Sequence, residues 1–349
     1  PFGAEPARAL ELMLHRCREY GFKVENVDNY AGSADYGDMP ALGILTHLDV
    51  VPGWGEDCFT LKRCEGRLIA RGAIDDKGPA AASVFALRAV KDLKIPLKKG
   101  VRLIFGTNEE NGSSDIAYYR QKRELPPMVF TPDGEYPLIN GEKGMLRIYF
   151  STIIDADVEI SAGEVINAVP GICTVTENAE TRVYYGKPAH ASTPDKGENA
   201  ITKFLGNYSG DSKVLKSFQQ LFPHGDVDGT AIFGDIQGDI TCVISMLNTV
   251  ENRVSGAVDI RFPMDRTKDE IFRTLERKFA DAGLTIDSWE GVEPHYTEEN
   301  SDFVQSLLRV YERVTGEKGE CLTIGGGTYV HEIPGGVAFG AEFPGEDGN

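Results

Sequence analysis

The chain has 349 residues, 41% hydrophobic and 26% charged, with 39 glycines, an ordinary globular composition whose length suits two domains. Its 36 Lys and Arg against 54 Asp and Glu leave a net charge of −18; a surface that acidic repels phosphate backbones, so no nucleic-acid partner is expected. No run approaches the ~18 apolar residues of a membrane span, no signal peptide is visible, and the six cysteines form no CxxC pair, so the expectation is a cytoplasmic protein with reduced thiols and no membrane contact.

Residues 6–20 place Leu10, Met13, Leu14 and Cys17 on one helical face, with Gly21 as a stop. The apolar run Ala41–Leu45 leads to His47. Residues 79–93 read as a helix, with Pro79 in its first turn and Ala80, Val84, Leu87 and Val90 as its face. Val101–Phe105 is a second apolar run, ending at Glu109 and Glu110, and Met128–Phe130 a third, ending before Asp133. Alternating runs and helices predict an α/β fold with a doubly wound, mostly parallel sheet, whose ligands collect beyond the carboxyl ends of the strands.

From about residue 145 the pattern changes. Leu146–Ile154, Ile172–Val175, Arg182–Tyr185, Cys242–Leu247 and Gly256–Phe262 read as antiparallel strands, with helices near 199–205 and at 269–282. A helix returns after about 297, with Ser301 as N-cap and Phe303, Val304, Leu307, Leu308 and Tyr311 as its face, followed by the glycine turn Gly325-Gly326-Gly327. The expected organisation is a discontinuous catalytic domain, 1–144 and 297–349, carrying an inserted α+β lid domain, 145–296.

The turns after the apolar runs carry the chemistry: Thr46-His47-Leu48-Asp49, Ala73-Ile74-Asp75-Asp76-Lys77-Gly78, Asn108-Glu109-Glu110-Asn111-Gly112 and Thr131-Pro132-Asp133-Gly134-Glu135. Two divalent ions need a carboxylate between them to offset their mutual repulsion, terminal N or O ligands, and a base beside the attacking water. His47 suits a terminal ligand. Asp49, two residues on along an extended segment, points the same way and can orient the imidazole. Asp75 can bridge, Asp133 can be a terminal ligand, and the Glu109-Glu110 pair can divide into base and ligand. An HxD, an EE pair or a DD pair alone is weak, because each is common on ordinary surfaces; together with Asp133 on consecutive strand–helix turns they form one constellation.

These residues resemble the di-zinc exopeptidase family of aminoacylase, carboxypeptidase G, succinyl-diaminopimelate desuccinylase and carnosinase. His47-Leu48-Asp49-Val50-Val51-Pro52-Gly53 with Trp54 looks like the first family signature, and Arg71-Gly72-Ala73-Ile74-Asp75-Asp76-Lys77-Gly78-Pro79 the second. Within the family, Asp-Asp-Lys-Gly-Pro, Thr-Pro-Asp-Gly-Glu-Tyr-Pro and Gly-Gly-Gly-Thr-Tyr look most like PepV-type bacterial dipeptidases. The resemblance implies two Zn2+ ions, or Mn2+ or Co2+, with His47 and Asp133 on opposite metals, Asp75 bridging, Glu110 ligating and Glu109 as general base. It implies a cis bond at Asp75–Asp76. It also implies that His190, in Gly186-Lys187-Pro188-Ala189-His190-Ala191-Ser192, polarises the scissile carbonyl. Asn167, Arg261 and backbone groups of Gly327 are expected to hold the substrate's C-terminal carboxylate, a task for which a planar guanidinium is suited; the bland alternative for Arg261 is a salt bridge within the lid.

The family closes its site with a C-terminal histidine after the segment resembling Gly340–Gly345, and that ligand is expected past Asn349; His331 is given no role. The stretch between Asp133 and His190 is short for a single-chain dipeptidase: either residues are missing from the lid or, if the short lid is genuine, the lid histidine comes from a second subunit, so the chain is read as a monomer or homodimer. The functional expectation is a zinc dipeptidase acting on small peptides with a free C-terminal carboxylate. The alternatives are an N-acyl amino acid amidohydrolase and an inactive homologue that serves as a binding protein. A dinucleotide enzyme is disfavoured, because no GxGxxG stands at a strand–helix junction.

Overall fold

The computed structural model describes residues 2–53, 57–234 and 239–345; Trp54 and Asn349 lie outside the described residues. The chain divides into two compact units. The first comprises Pro1–Gly141, Tyr296–Thr323 and Gly327–Asn349, and the second comprises Glu142–His295 and Ile324–Gly326.

The first unit is built on a mixed sheet. Its strands are β1 (Lys23–Val27), β2 (Ala31–Tyr36), β3 (Leu42–His47), β4 (Val101–Gly106) and β5 (Met128–Thr131). They lie in the order β1-β2-β4-β3-β5, continued by Val337–Ala338. β3, β4, β5 and Val337–Ala338 run parallel, and the β1–β2 hairpin pairs antiparallel at one side. Both faces are covered. Leu103 and Phe105 of β4 pack with Leu10 and Leu14 of helix α1 (Ala4–Glu19) and with Val84 and Leu87 of α2 (Lys77–Asp92). Ile104, between them, turns to the other face and packs with Ile116 and Tyr119 of α3 (Ser114–Lys122) and with Tyr329. This alternation is why the strand reads as a continuous apolar run: each residue has a core to enter. The helix Asp302–Thr315 begins at the expected cap, where the Ser301 hydroxyl accepts the Val304 N–H at 3.3 Å.

The second unit is a seven-stranded antiparallel sheet. Its strands are β6 (Gly144–Ile153), β7 (Val158–Ala162), β8 (Ile172–Glu177), β9 (Glu180–Tyr185), β10 (Thr241–Val250), β11 (Arg253–Phe262) and β12 (Thr285–Val292). Their order is β9-β8-β7-β10-β11-β6-β12. Helices α4 (Ala200–Asn207), α5 (Lys213–Leu221) and Lys268–Asp281 pack Phe204, Phe218, Leu275 and Phe279 onto Leu146, Ile148, Val258 and Ile260. On the opposite pleat Arg147 of β6 stands across from Asp259 of β11 and Glu290 of β12, so one face is apolar and the other charged. A short ladder pairs Ala168 with His190 and Val169 with Ala189.

No helix of the described residues is long and apolar enough to cross a membrane. The six cysteines are free thiols. Burial pushes Cys17 and Cys173 up to about 12 and Cys242 higher still, whereas Cys64 is exposed. Mixing the native protein with a thiol reagent such as DTNB at pH 8 should modify Cys64 first. Cys17, Cys173 and Cys242 should react only on unfolding, as peptide mapping of the labelled protein would reveal.

Candidate metal centre

His47 is the last residue of β3 and is fully buried. Its backbone N–H donates to Asp76 Oδ2 at 3.0 Å. Its Nε2 lies 2.9 Å from Asp75 Oδ1 and 3.4 Å from Asp133 Oδ2. One donor atom from each of His47, Asp75 and Asp133 falls within 4.8 Å of the others. Each comes from the turn after a strand or before a helix: β3 for His47, the start of α2 for Asp75 and the end of β5 for Asp133. The Asp75–Asp76 bond is cis, as the resemblance implies.

The geometry differs from the expectation that His47 and Asp133 serve opposite ions. Their donor atoms lie 3.4 Å apart, and with an Asp75 oxygen all three fall within 4.8 Å of one another, close enough to serve one ion. Burial, followed by repulsion from Asp75, raises the Glu110 carboxyl above its usual range. Glu110 stands outside the three-residue cluster, and its Oε1 accepts the Val51 N–H at 3.2 Å.

Two observations show that these residues fit a cation. His47 Nε2 is buried without a hydrogen bond, despite its close approach to two carboxylates, and Asp76 Oδ1 is buried in the same condition. A cluster of acceptors drawn this close is self-repulsive until a positive charge lies among them. The titrations respond to the same crowding. Burial opposes charge on His47, but the carboxylates of Asp133, Asp49 and Asp75 outweigh it and hold the imidazole well above its ordinary range. Burial, with Asp133 and Asp75 adding repulsion, pushes Asp76 up to about 9. Burial is also the main cause that lifts Glu109 to about 8; His47 opposes it, and Asp133, Glu110 and Asp49 add to it. That places Glu109 in the range where a carboxylate exchanges a proton near neutrality.

Asp49 does more than face the imidazole. Its backbone carbonyl is 3.2 Å and its Oδ1 3.4 Å from His47 Nδ1. Its carboxylate oxygens accept the N–H groups of Glu109 at 3.2 Å and Glu110 at 3.1 Å. One side chain therefore ties the His47 turn to the turn carrying both glutamates, against which burial still works: His47 and the two N–H groups hold Asp49 below the usual carboxylate range.

Three participants escaped the sequence reading. Lys77 sits among Asp49, Asp75, Glu110 and Asp76, which favour its charge, while burial pulls its amine below the ordinary value. Asp115 is fully buried on α3 and accepts the N–H groups of Thr107 at 2.5 Å and Asn108 at 2.9 Å, just before Glu109, together with the Tyr329 hydroxyl at 2.5 Å. Tyr329 in turn sets its ring edge-on to His47, with centroids 6.0 Å apart. The spacing of Asp115 and Tyr329, over two hundred residues apart, gave no local signal.

In the second unit Asn167 directly precedes the short ladder, and its carbonyl accepts the Ala191 N–H at 2.9 Å, so the backbone of Asn167 is tied to the residue after His190. Burial and the charges of Arg261 and Arg147 keep His190 below its ordinary value, with Asp259 opposing. Arg261 turns one edge of its guanidinium to the buried Asp259, Nε to Oδ1 at 2.6 Å and Nη2 to Oδ2 at 3.1 Å, and its Nη1 donates to Gly325 O at 3.1 Å. The salt bridge to Asp259 is thus present, and Nη1 and Nη2 each keep one further N–H on a side chain only 5% exposed. Gly327 is exposed and falls in the first unit, whereas Gly325 and Gly326 fall in the second.

Fold and site together define a metal-dependent hydrolase on a wound α/β sheet. Residues 43–347 match the model of peptidase family M20/M25/M40, and the chain belongs to that family of metallopeptidases. It is 32% identical to the Beta-Ala-Xaa dipeptidase of Lactobacillus delbrueckii subsp. lactis over 394 aligned positions, covering 98% of this chain and 83% of the relative. The aligned span exceeds the 349 residues of this chain, so the relative carries residues within it that this chain lacks. Among solved structures, an M20 family metallo-carboxypeptidase from Sulfolobus solfataricus superposes with a TM-score of 0.61 at 16% identity, covering 98% of this chain and 88% of that one. Human carnosine dipeptidase 1 gives 0.59 at 17%, covering 97% and 83%. These two likenesses carry the fold alone.

The centre depends on close packing behind it. A Cβ on Gly106 would overlap the Tyr329 hydroxyl and the Asp115 carboxylate. Gly106→Ala should therefore cost about 3 kcal/mol of stability, read as a fall in melting temperature. Adding Tyr329→Phe, which removes the obstructing oxygen, should recover part of that loss.

Proposed function

We propose that this chain is a dinuclear metal-dependent dipeptidase, with zinc as its metal, that hydrolyses short peptides bearing a free C-terminal carboxylate. The observation that carries this reading is the grouping of donor atoms from His47, Asp75 and Asp133, with the half-buried Glu109 held nearby through its N–H to Asp49. The 32% identity to a dipeptidase across nearly the whole chain supports the substrate class.

In this reading His47, Asp75 and Asp133 hold one cation, and Asp75 and Glu110 contribute to a second. Such a pair of ions, when bound, lowers the pKa of a water and polarises a carbonyl. Asp49 orients His47 and fixes the backbone of Glu109 and Glu110, so both glutamates keep their places. Glu109 removes a proton from the attacking water and later delivers it to the leaving amine. His190 donates a hydrogen bond to the carbonyl oxygen as charge develops there. Arg261, through the remaining N–H groups of Nη1 and Nη2, Asn167 and the backbone of Gly327 hold the terminal carboxylate and so restrict the enzyme to exopeptidase cleavage. The expected domain division, with 145–296 as a lid on a catalytic part, belongs to the same proposal.

Glu109→Gln should lower kcat by about 10²- to 10⁴-fold, with bound metal retained. Wild-type turnover by that variant would rule out Glu109 as the base. Assayed with dipeptides and N-acyl amino acids side by side, the protein should prefer dipeptides. It should also lose activity toward dipeptides whose C-terminal carboxylate is amidated; preference for N-acyl amino acids would replace the dipeptidase reading with an amidohydrolase.

A further inference from the structure

We infer that Ser192 is a positioning residue that locks the His190 imidazole in its Nε2–H form, making His190 an obligatory hydrogen-bond donor. The inference rests on the proposed role of His190 and adds the device that sets its proton.

The Ser192 backbone N–H donates to His190 Nδ1 at 3.2 Å, and the Ser192 hydroxyl lies 2.6 Å from the same nitrogen. A backbone N–H is a donor only and cannot reverse its role, so Nδ1 must offer its lone pair. The hydroxyl can rotate, and beside an Nδ1 that is already an acceptor it donates as well. The ring proton is left to Nε2.

The surrounding chain fixes this peptide. The Ala191 side chain is fully buried, and the Ala191 N–H donates to Asn167 O at 2.9 Å. The carbonyl of the Ala191–Ser192 peptide accepts from Thr241 Oγ1 at 3.3 Å, which sets the plane of that peptide and aims its N–H toward the ring. Gly325 packs so closely on Ser192 that a Cβ there would come within 2.9 Å of the Ser192 Cβ. The same Gly325 accepts from Arg261, so the residue that sets the His190 tautomer and the arginine proposed for the substrate carboxylate share one support.

The chemical consequence is a division of labour. With Nδ1 engaged twice, the one ring nitrogen free to meet a substrate is Nε2, which bears a proton. His190 can then donate to a carbonyl oxygen whose charge grows in the transition state, and it cannot take a proton from water. That leaves proton abstraction to Glu109.

Long-range 1H–15N NMR of the protein labelled with 15N-histidine tests the tautomer without turnover: a protonated Nε2 and a bare Nδ1 are expected for His190. An Nδ1–H ring would overturn the inference. Ser192→Ala keeps the backbone donor and loses the hydroxyl, so kcat should fall about five- to tenfold at little change in KM, and Ser192→Thr should restore most of it. Wild-type kcat in Ser192→Ala would also overturn the positioning role. Full turnover by His190→Ala, with the Nε2–H form still seen in the wild type, would instead defeat the donor role proposed for His190 and leave the tautomer assignment standing.

Discussion

The structure depends on electrostatic repulsion held in check. Asp49, Asp75, Asp76, Glu109, Glu110 and Asp133 crowd around one buried imidazole, with Lys77 as a further positive side chain on the same set. Carboxylates brought together away from bulk water lose hydration and repel each other. Here that shows as Glu109 and Asp76 holding protons far above the usual carboxylate range. A protein keeps such a cluster only where something positive belongs, and the donor set of imidazole and carboxylate oxygens suits divalent cations.

The wound sheet explains how residues so far apart reach one place. β3, β4 and β5 run parallel, so the turns that follow them open on the same side, and the start of α2 brings Asp75 there. Packing then secures the turns. Asp115 caps the backbone before Glu109, Tyr329 closes on Asp115 and His47, and Gly106 leaves the space they fill. The antiparallel unit applies the same economy to His190, whose ladder partner, neighbouring peptide and charged face are all set by strand register.

Much of this was legible because the relevant signals are local. Apolar runs ending in His47, Glu109 and Asp133 marked the strand ends, and the changed pattern after about 145 marked the antiparallel strands. Ser301 announced a helix start because its cap acts within three residues. The β1–β2 hairpin was not foreseen: Lys23–Val27 and Ala31–Tyr36 are rich in Glu, Asn, Ser and Asp, and their turn depends on positive φ at Asp28 and Asn29. Helix α3 was missed as well, its face being only Ile116 and Tyr119 beside a buried acid. At the site, the residue types were readable and their partners were not. Nothing local to His47 and Asp133 says that their donor atoms come within 3.4 Å, or that Asp49 reaches the N–H groups sixty residues away. Such contacts are long-range, and only the fold decides them.

The most direct test is the metal stoichiometry of the purified protein and of its Asp75→Asn variant, by elemental analysis after equilibration with Zn2+ and removal of free ion. The account predicts two ions per chain in the wild type and loss of both when the carboxylate between them is neutralised. A wild type that retains less than one ion per chain, or an Asp75→Asn variant that keeps both, would contradict it.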